Sequence, residues 1–185
     1  MGTRVNLANI DQIDDRFVGS GLQHLRAIMD GEREFLTNLQ SLGIKLVDVQ
    51  PGQVSLTCTP DESMTIAHDF RSLDIMSTLL DTATSAALLT VLPQGKSLRW
   101  IDSKVSHTKP DAHDERLFSV TGALVECRPT FGIANATVMT DLGAVVATAR
   151  STLRISDAPG VSETSGRPLT HDGDASEPVW PTGHR

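Results

Sequence analysis

The chain has 185 residues, 39% of them apolar, which suits one domain with a sizeable core. Its net charge of −7 and pI near 5.2 argue against nucleic acid as a main partner. Its two cysteines, Cys58 and Cys127, lie far apart in strand-like contexts, a spacing that fits buried free thiols rather than a metal or redox site.

Residues 1–18 are polar, carry no apolar signal core, and read as an N-terminal arm. Position 6 is Asn6, which fails the myristoylation pattern. No membrane partner is expected, and the cytoplasm is the expected location. A domain follows over 19–155.

Gly21 to Asp30 reads as a short amphipathic helix, with Leu22, Leu25, Ile28 and Met29 on one side and Gly31 as its stop. Phe35, Leu36 and Leu39 suggest a second short helix ending near Gly43. The period then changes to two. Ile44, Leu46 and Val47–Val49 form one strand, residues 51–53 a turn, and Val54, Leu56 and Cys58 a second, strictly alternating strand closed by Pro60.

Ser72 to Leu92 is the longest apolar run, and it has helical spacing. Leu73, Met76, Leu80, Ala83 and Ala87 share one face. Asp74, Ser77, Thr78, Asp81, Thr84 and Ser85 form a polar stripe on another. The stripe interrupts the run too often for a membrane span. A carboxylate in the middle of such a helix, at Asp81, has to be paired, hydrogen-bonded or used.

After the breaker Pro93-Gln94-Gly95 come four strands: Leu98–Lys109, Arg116–Cys127, Ile133–Thr140 and Val145–Ile155. In the first, alternation puts Ile101, Val105 and His107 on one face and Trp100, Asp102, Lys104 and Ser106 on the other. Asp141-Leu142-Gly143 turns the chain between the last two. Two strands, a long helix and four strands make an α+β domain, with the helix laid on an antiparallel sheet. Residues 156–185 are rich in Gly, Pro, Ser and acid, and read as a disordered tail in which Trp180 is incidental.

This element order resembles the hotdog fold, and more narrowly the PaaI-type acyl-CoA thioesterases. The resemblance runs from Gly21 to Ile155. It is carried by GLQHLRAIMDGE before the first strand, LLDTATSAAL on the helix, LPQGK after it, the basic-Pro pair Lys109-Pro110 at a strand end, and the D-x-G-x-x-x-A close over Asp141–Ala147. It implies a six-stranded antiparallel sheet wrapped around one long central helix, with a short helical lead-in. It also implies a homodimer or homotetramer with sites at the dimer interface, and an acyl-CoA or acyl-carrier thioester as substrate. No cofactor is implied beyond coenzyme A as part of that substrate, and no metal.

In such thioesterases the helix carboxylate at LLDTA is the general base or nucleophile, here Asp81, and a hydroxyl one turn later assists, here Ser85. A backbone N–H at the positive helix end polarises the thioester carbonyl, which implies a role for Leu73. The family carries an Asn or Gln upstream and His-Gly-Gly opening the helix; this chain has Ile66 at the amide position and Ser72, Leu73 and Asp74 at the run. Its next strand has Leu98, Arg99, Trp100 and Asp102 where the family shows Tyr-Thr-Thr and a Glu. Asp74 then stands at the site mouth, and His68 is the candidate replacement for the lost His. Lys109 and Arg128 are candidate contacts for coenzyme A phosphates. His107 takes a core aromatic position, implying a satisfied core histidine, with an acid–base role facing Asp81 as the alternative. Two other functions stay open: a hotdog enzyme turned to cyclisation, dehydration or isomerisation, and a non-catalytic acyl-ligand-binding protein.

Overall fold

The computed structural model describes residues 20–34, 37–59, 73–108 and 117–158. The N-terminal arm, residues 159–185 with Trp180, and positions 35 and 36 lie outside the described residues; Ser156 and Asp157, read as the start of the tail, belong to the last strand. Helix α1 (Gly21–Met29) opens on a capping box: the Gln23 N–H donates to Ser20 Oγ, and the Ser20 N–H donates to Gln23 Oε1 at 2.8 Å. Asp30 caps its C-terminus, and Gly31 follows at φ 77°, the left-handed conformation that glycine adopts without penalty. Helix α2 is the short turn Thr37–Ser41, anchored by fully buried Leu39.

Strands β1 (Ile44–Gln50), β2 (Gln53–Cys58), β3 (Lys96–His107), β4 (Phe118–Cys127), β5 (Phe131–Thr140) and β6 (Val145–Asp157) form one sheet in the order β1-β2-β4-β5-β6-β3. Every neighbouring pair is antiparallel. Helix α3 (Leu73–Leu89) lies across one face, mainly over β4, β5 and β6. Met76, Leu79, Leu80 and Ala83 pack there against Leu56, Phe118, Val120, Ala136, Val138, Ala147 and Ala149. Leu88 and Leu92 close the far end over Leu98, Leu153 and Ile155. The helix comes close because the strands beneath it carry small residues. A Cβ on Gly122 of β4 would sit 2.1 Å from the Ala83 carbonyl oxygen. No helix among the described residues is long and apolar enough to cross a membrane.

The six strands stand where the alternation puts them, with shifted ends. β3 begins two residues early, at Lys96, because Lys96 Nζ pairs with Asp157 Oδ1 at 2.6 Å and extends the ladder with β6. Three expectations need correction. A bulge between Trp100 and Asp102 inverts the first half of β3. Trp100 packs on the apolar cluster under Leu88, and Ile101 is turned outward, 60% exposed. Cys127 is exposed at the end of β4, since the bulge between Leu124 and Glu126 and the strand end remove it from the core; Cys58 alone is a buried thiol. His107 pairs with Ala147, on the face shared by Ser103 and Val105, but it is the last residue of β3 and is exposed, so it is not a core histidine.

Candidate functional site

Asp81 sits two turns into α3, with Leu79, Leu80 and Ala83 fully buried around it. The helix is apolar on most of its circumference and packs on the sheet, and from its polar stripe Asp81 reaches β3 and Thr84 reaches β6. Several stripe hydroxyls bond back to their own helix. Thr84 Oγ1 donates to the Leu80 carbonyl at 3.0 Å, and Ser85 Oγ donates to the Asp81 carbonyl at 2.7 Å. Ser85 is therefore one turn from Asp81, but its proton is directed at the backbone and not at the carboxylate.

The partner of the carboxylate comes from the sheet. The bulge in β3 shifts the inward-facing positions from Leu98 and Trp100 to Ser103 and Val105. Ser103 Oγ then donates to Asp81 Oδ1 at 3.3 Å. Ser103 is paired across the ladder with Ser151 of β6, and their hydroxyl oxygens are 3.0 Å apart. Thr84 Oγ1 lies 3.3 Å from Ser151 Oγ. With Asp81 ionised, Ser103 donates to the carboxylate and Ser151 donates to Ser103, while the Thr84 proton is shared among Ser151 and the nearer Leu80 and Asp81 carbonyls at 3.0 and 3.1 Å. Thr84 and Ser151 are fully buried, so the chain of hydroxyls is shielded from water at its inner end.

Burial pushes the Asp81 carboxyl above its ordinary range, and the Ser103 hydrogen bond pulls part of the way back. Oδ2 accepts no hydrogen bond among the described residues. The result is a half-buried acid with one oxygen tied to Ser103, the other without a hydrogen-bond partner among the described residues, and an affinity for a proton above that of a surface aspartate. Such a group can take a proton from water or attack an electrophilic carbon. Ser103→Ala removes the bond that lowers the pKa, so the Asp81 titration midpoint is expected to rise. Carboxyl NMR of the labelled protein checks it; an unmoved midpoint would show that the bond is not made in solution.

The other candidate residues are dispersed. Leu73 is the first residue of α3, and Asp74 the second. Eight residues at 1.5 Å each put Leu73 about 12 Å along the helix axis from Asp81. The N–H groups of this first turn have no intrahelical acceptor and carry the positive end of the helix. Arg128 lies in the β4–β5 turn, exposed and paired with Glu126, at the end of the sheet where Gly132 meets Leu88. That is the end of α3 away from Leu73. His68, Ser72, Ile66 and Lys109 lie outside the described residues. Ser103 and Ser151 were missed in the sequence. Each shares the parity of apolar core positions in its strand (Val105; Ala149 and Leu153), and a serine at an inward position is the signal that marks them.

No protein-family model matches the sequence, and no curated protein matches it. Solved structures do. A thioesterase family protein from Silicibacter pomeroyi superposes with a TM-score of 0.62 at 23% identity, over 72% of this chain and 99% of that one. The PaaI protein of the Escherichia coli phenylacetic acid degradation operon superposes with a TM-score of 0.59 at 17% identity, over 73% of this chain and 95% of its own. A Streptococcus mutans protein bound to acetyl-CoA superposes with a TM-score of 0.54 at 18% identity, over 62% and 89%. The chain has the hotdog fold of these thioesterase structures.

Proposed function

We propose that the chain hydrolyses acyl thioesters, with Asp81 as the group that activates water or attacks the carbonyl. The observation that carries this reading is the placement of Asp81: a half-buried carboxylate in the middle of the hotdog helix, held by Ser103 at Oδ1. Nothing in the packing of α3 requires an acid there, and desolvating one is unfavourable. The fold shared with thioesterase structures supports the reaction class, and the acetyl-CoA complex of the Streptococcus mutans protein of the same fold supports an acyl-CoA or acyl-carrier thioester as substrate.

In the simplest course Oδ2 takes a proton from water, and the hydroxide oxygen adds to the thioester carbon. The tetrahedral oxyanion collapses, the C–S bond breaks, and the proton held on Asp81 passes to the departing sulfur, which leaves a free thiol, a carboxylic acid and the Asp81 carboxylate. The oxyanion needs a donor, and the free N–H of Leu73 at the helix end is the candidate. Leu73 and Asp81 of one helix are about 12 Å apart and cannot serve one carbonyl carbon together. The reading therefore pairs Leu73 of one subunit with Asp81 of another. β3 supports such an assembly: it is a 12-residue edge strand, while α1 and α2 pack at the β1 edge. Sedimentation at micromolar concentration is expected to give a dimer or larger; a monomer would remove the shared site.

A second reading has its own observation. Ser72-Leu73-Asp74 replaces the open His-Gly-Gly run, which exchanges two residues without side chains for a branched residue and an acid. A site that keeps its carboxylate and loses its oxyanion run suits a hotdog enzyme turned to acid–base chemistry in a biosynthetic pathway. The two separate in one assay, the release of free thiol from a panel of short, medium and aromatic acyl-CoAs. The wild type is expected to be slow, well below a typical turnover of about 10 per second. Restoring His-Gly-Gly at 72–74 is expected to raise the rate. No thiol release by either protein would reject hydrolysis and leave the acid–base reading.

A further inference from the structure

The outer face of the sheet, opposite α3, carries an unusual arrangement of charge on β3 and β6. Arg99 is directly opposite Arg154, and Lys104 is directly opposite Arg150. All four side chains are exposed, and none makes an ion pair or hydrogen bond among the described residues. Like charges placed directly across a ladder are destabilising. The same two strands show the ordinary solution at their other end, where Lys96 faces Asp157. Protection of a free edge against aggregation accounts for cations on β3. It does not account for Arg150 and Arg154, because β6 is an interior strand between β5 and β3. In a chain of net charge −7, two repulsive pairs on one face mark a surface built to meet negative charge.

Independently of the reaction assigned above, we propose that this ribbon is a docking surface for an acidic helix of a partner protein. The geometry selects the occupant. Arg150 and Arg154 are four residues apart, so the two cation pairs are about 13 Å apart along the strands. Asp102, paired with Thr152, lies between them. The neighbouring outward positions on β5 are Asn135 beside Arg150, Ile133 beside Thr152 and Phe131 beside Arg154, so the strip between the two cation pairs is uncharged on that side. A single phosphate or diphosphate cannot reach both pairs. A nucleic-acid backbone, with a charge every few ångströms, would lay phosphates over Asp102. A helix with carboxylates seven or eight residues apart spans about 11–12 Å, meets both pairs, and leaves an uncharged turn over the acid.

The test uses the full isotope-labelled chain and a synthetic helical peptide with two glutamate pairs seven residues apart. Its control is a peptide of the same composition with the glutamates grouped in adjacent turns. At low salt the spaced peptide is expected to shift amide signals of residues 99–104 and 150–154, with the effect fading as salt rises. The double variant Arg150→Glu, Arg154→Glu is expected to bind it about tenfold or more weaker. No shift at millimolar peptide, or an equal response to the grouped peptide, would overturn the proposal. So would tighter binding of a short DNA duplex. A large gain in peptide affinity on removing 159–185 would overturn it as well, by making the chain's own tail the occupant.

Discussion

Asp81→Asn is expected to lower thioester turnover by about two orders of magnitude or more, the scale of a lost acid–base group. The amide keeps the shape of the side chain and can still accept the Ser103 hydroxyl through its oxygen, so the fold and the hydroxyl chain behind it are retained. What disappears is the ability to hold a proton or to attack. The same substitution should stabilise the protein, and the sign follows from the direction of the shift. Burial raises the Asp81 pKa in the folded state above its unfolded value, so between the two values the native protein binds more protons. Stability is therefore fullest below the unfolded pKa and falls as pH rises through the folded one. At neutral pH the charged form is the disfavoured one, and asparagine relieves it; in acid, where Asp81 is already protonated, the gain should vanish. Thiol release and melting curves at two pH values measure both effects. Full activity in Asp81→Asn would remove the residue from any reaction of this protein. A melting temperature lower at neutral pH would show that the carboxylate is stabilised by partners beyond Ser103.

Gly122→Ala is the second large effect, and it acts on the helix seat. A Cβ at this position meets the Ala83 carbonyl oxygen at 2.1 Å and its carbon at 2.6 Å, both backbone atoms that cannot rotate away. Helix α3 must lift from β4, and the core around Met76, Leu79 and Leu80 opens with it. The cost is placed at the top of the overpacking range, about 3 kcal/mol. For a domain of this size that lowers Tm by roughly 6–12 °C. Gly122→Val adds branched carbons to the same clash and is expected to exceed the stability margin of a marginal domain, roughly 5 kcal/mol. Circular dichroism melts on both variants check the order. An unchanged melt for Gly122→Ala would mean that the helix rides higher on the sheet than described.

These two residues differ in how they were reached. Asp81 is legible in the chain as written, because a charged residue inside an apolar 3.6-period run has few ordinary explanations. Gly122 is not, because a glycine in a strand pattern indicates only that something comes close, and not what.

The sequence by itself determined the elements and their order. Apolar period two gives half-buried strands, and period 3.6 gives a helix, since each follows from which side chains one local backbone form can bury together. That is why α3, the β1–β2 pair and the four later strands stand close to where the periodicity puts them. It also determined where the odd acid falls on the helix. The tertiary structure decided what that acid touches. Ser103 reaches Asp81 only because a one-residue bulge after Trp100 reverses the face of β3, and Ser151 lies behind it only because β3 pairs with a strand 48 residues away in the chain. The same reversal exposes Ile101, and the strand ends expose Cys127 and His107. The juxtaposition of Arg99 with Arg154 and of Lys104 with Arg150 belongs to that pairing too. Bulges and long-range register are settled by packing between elements, a sum over contacts that no local window of the chain contains.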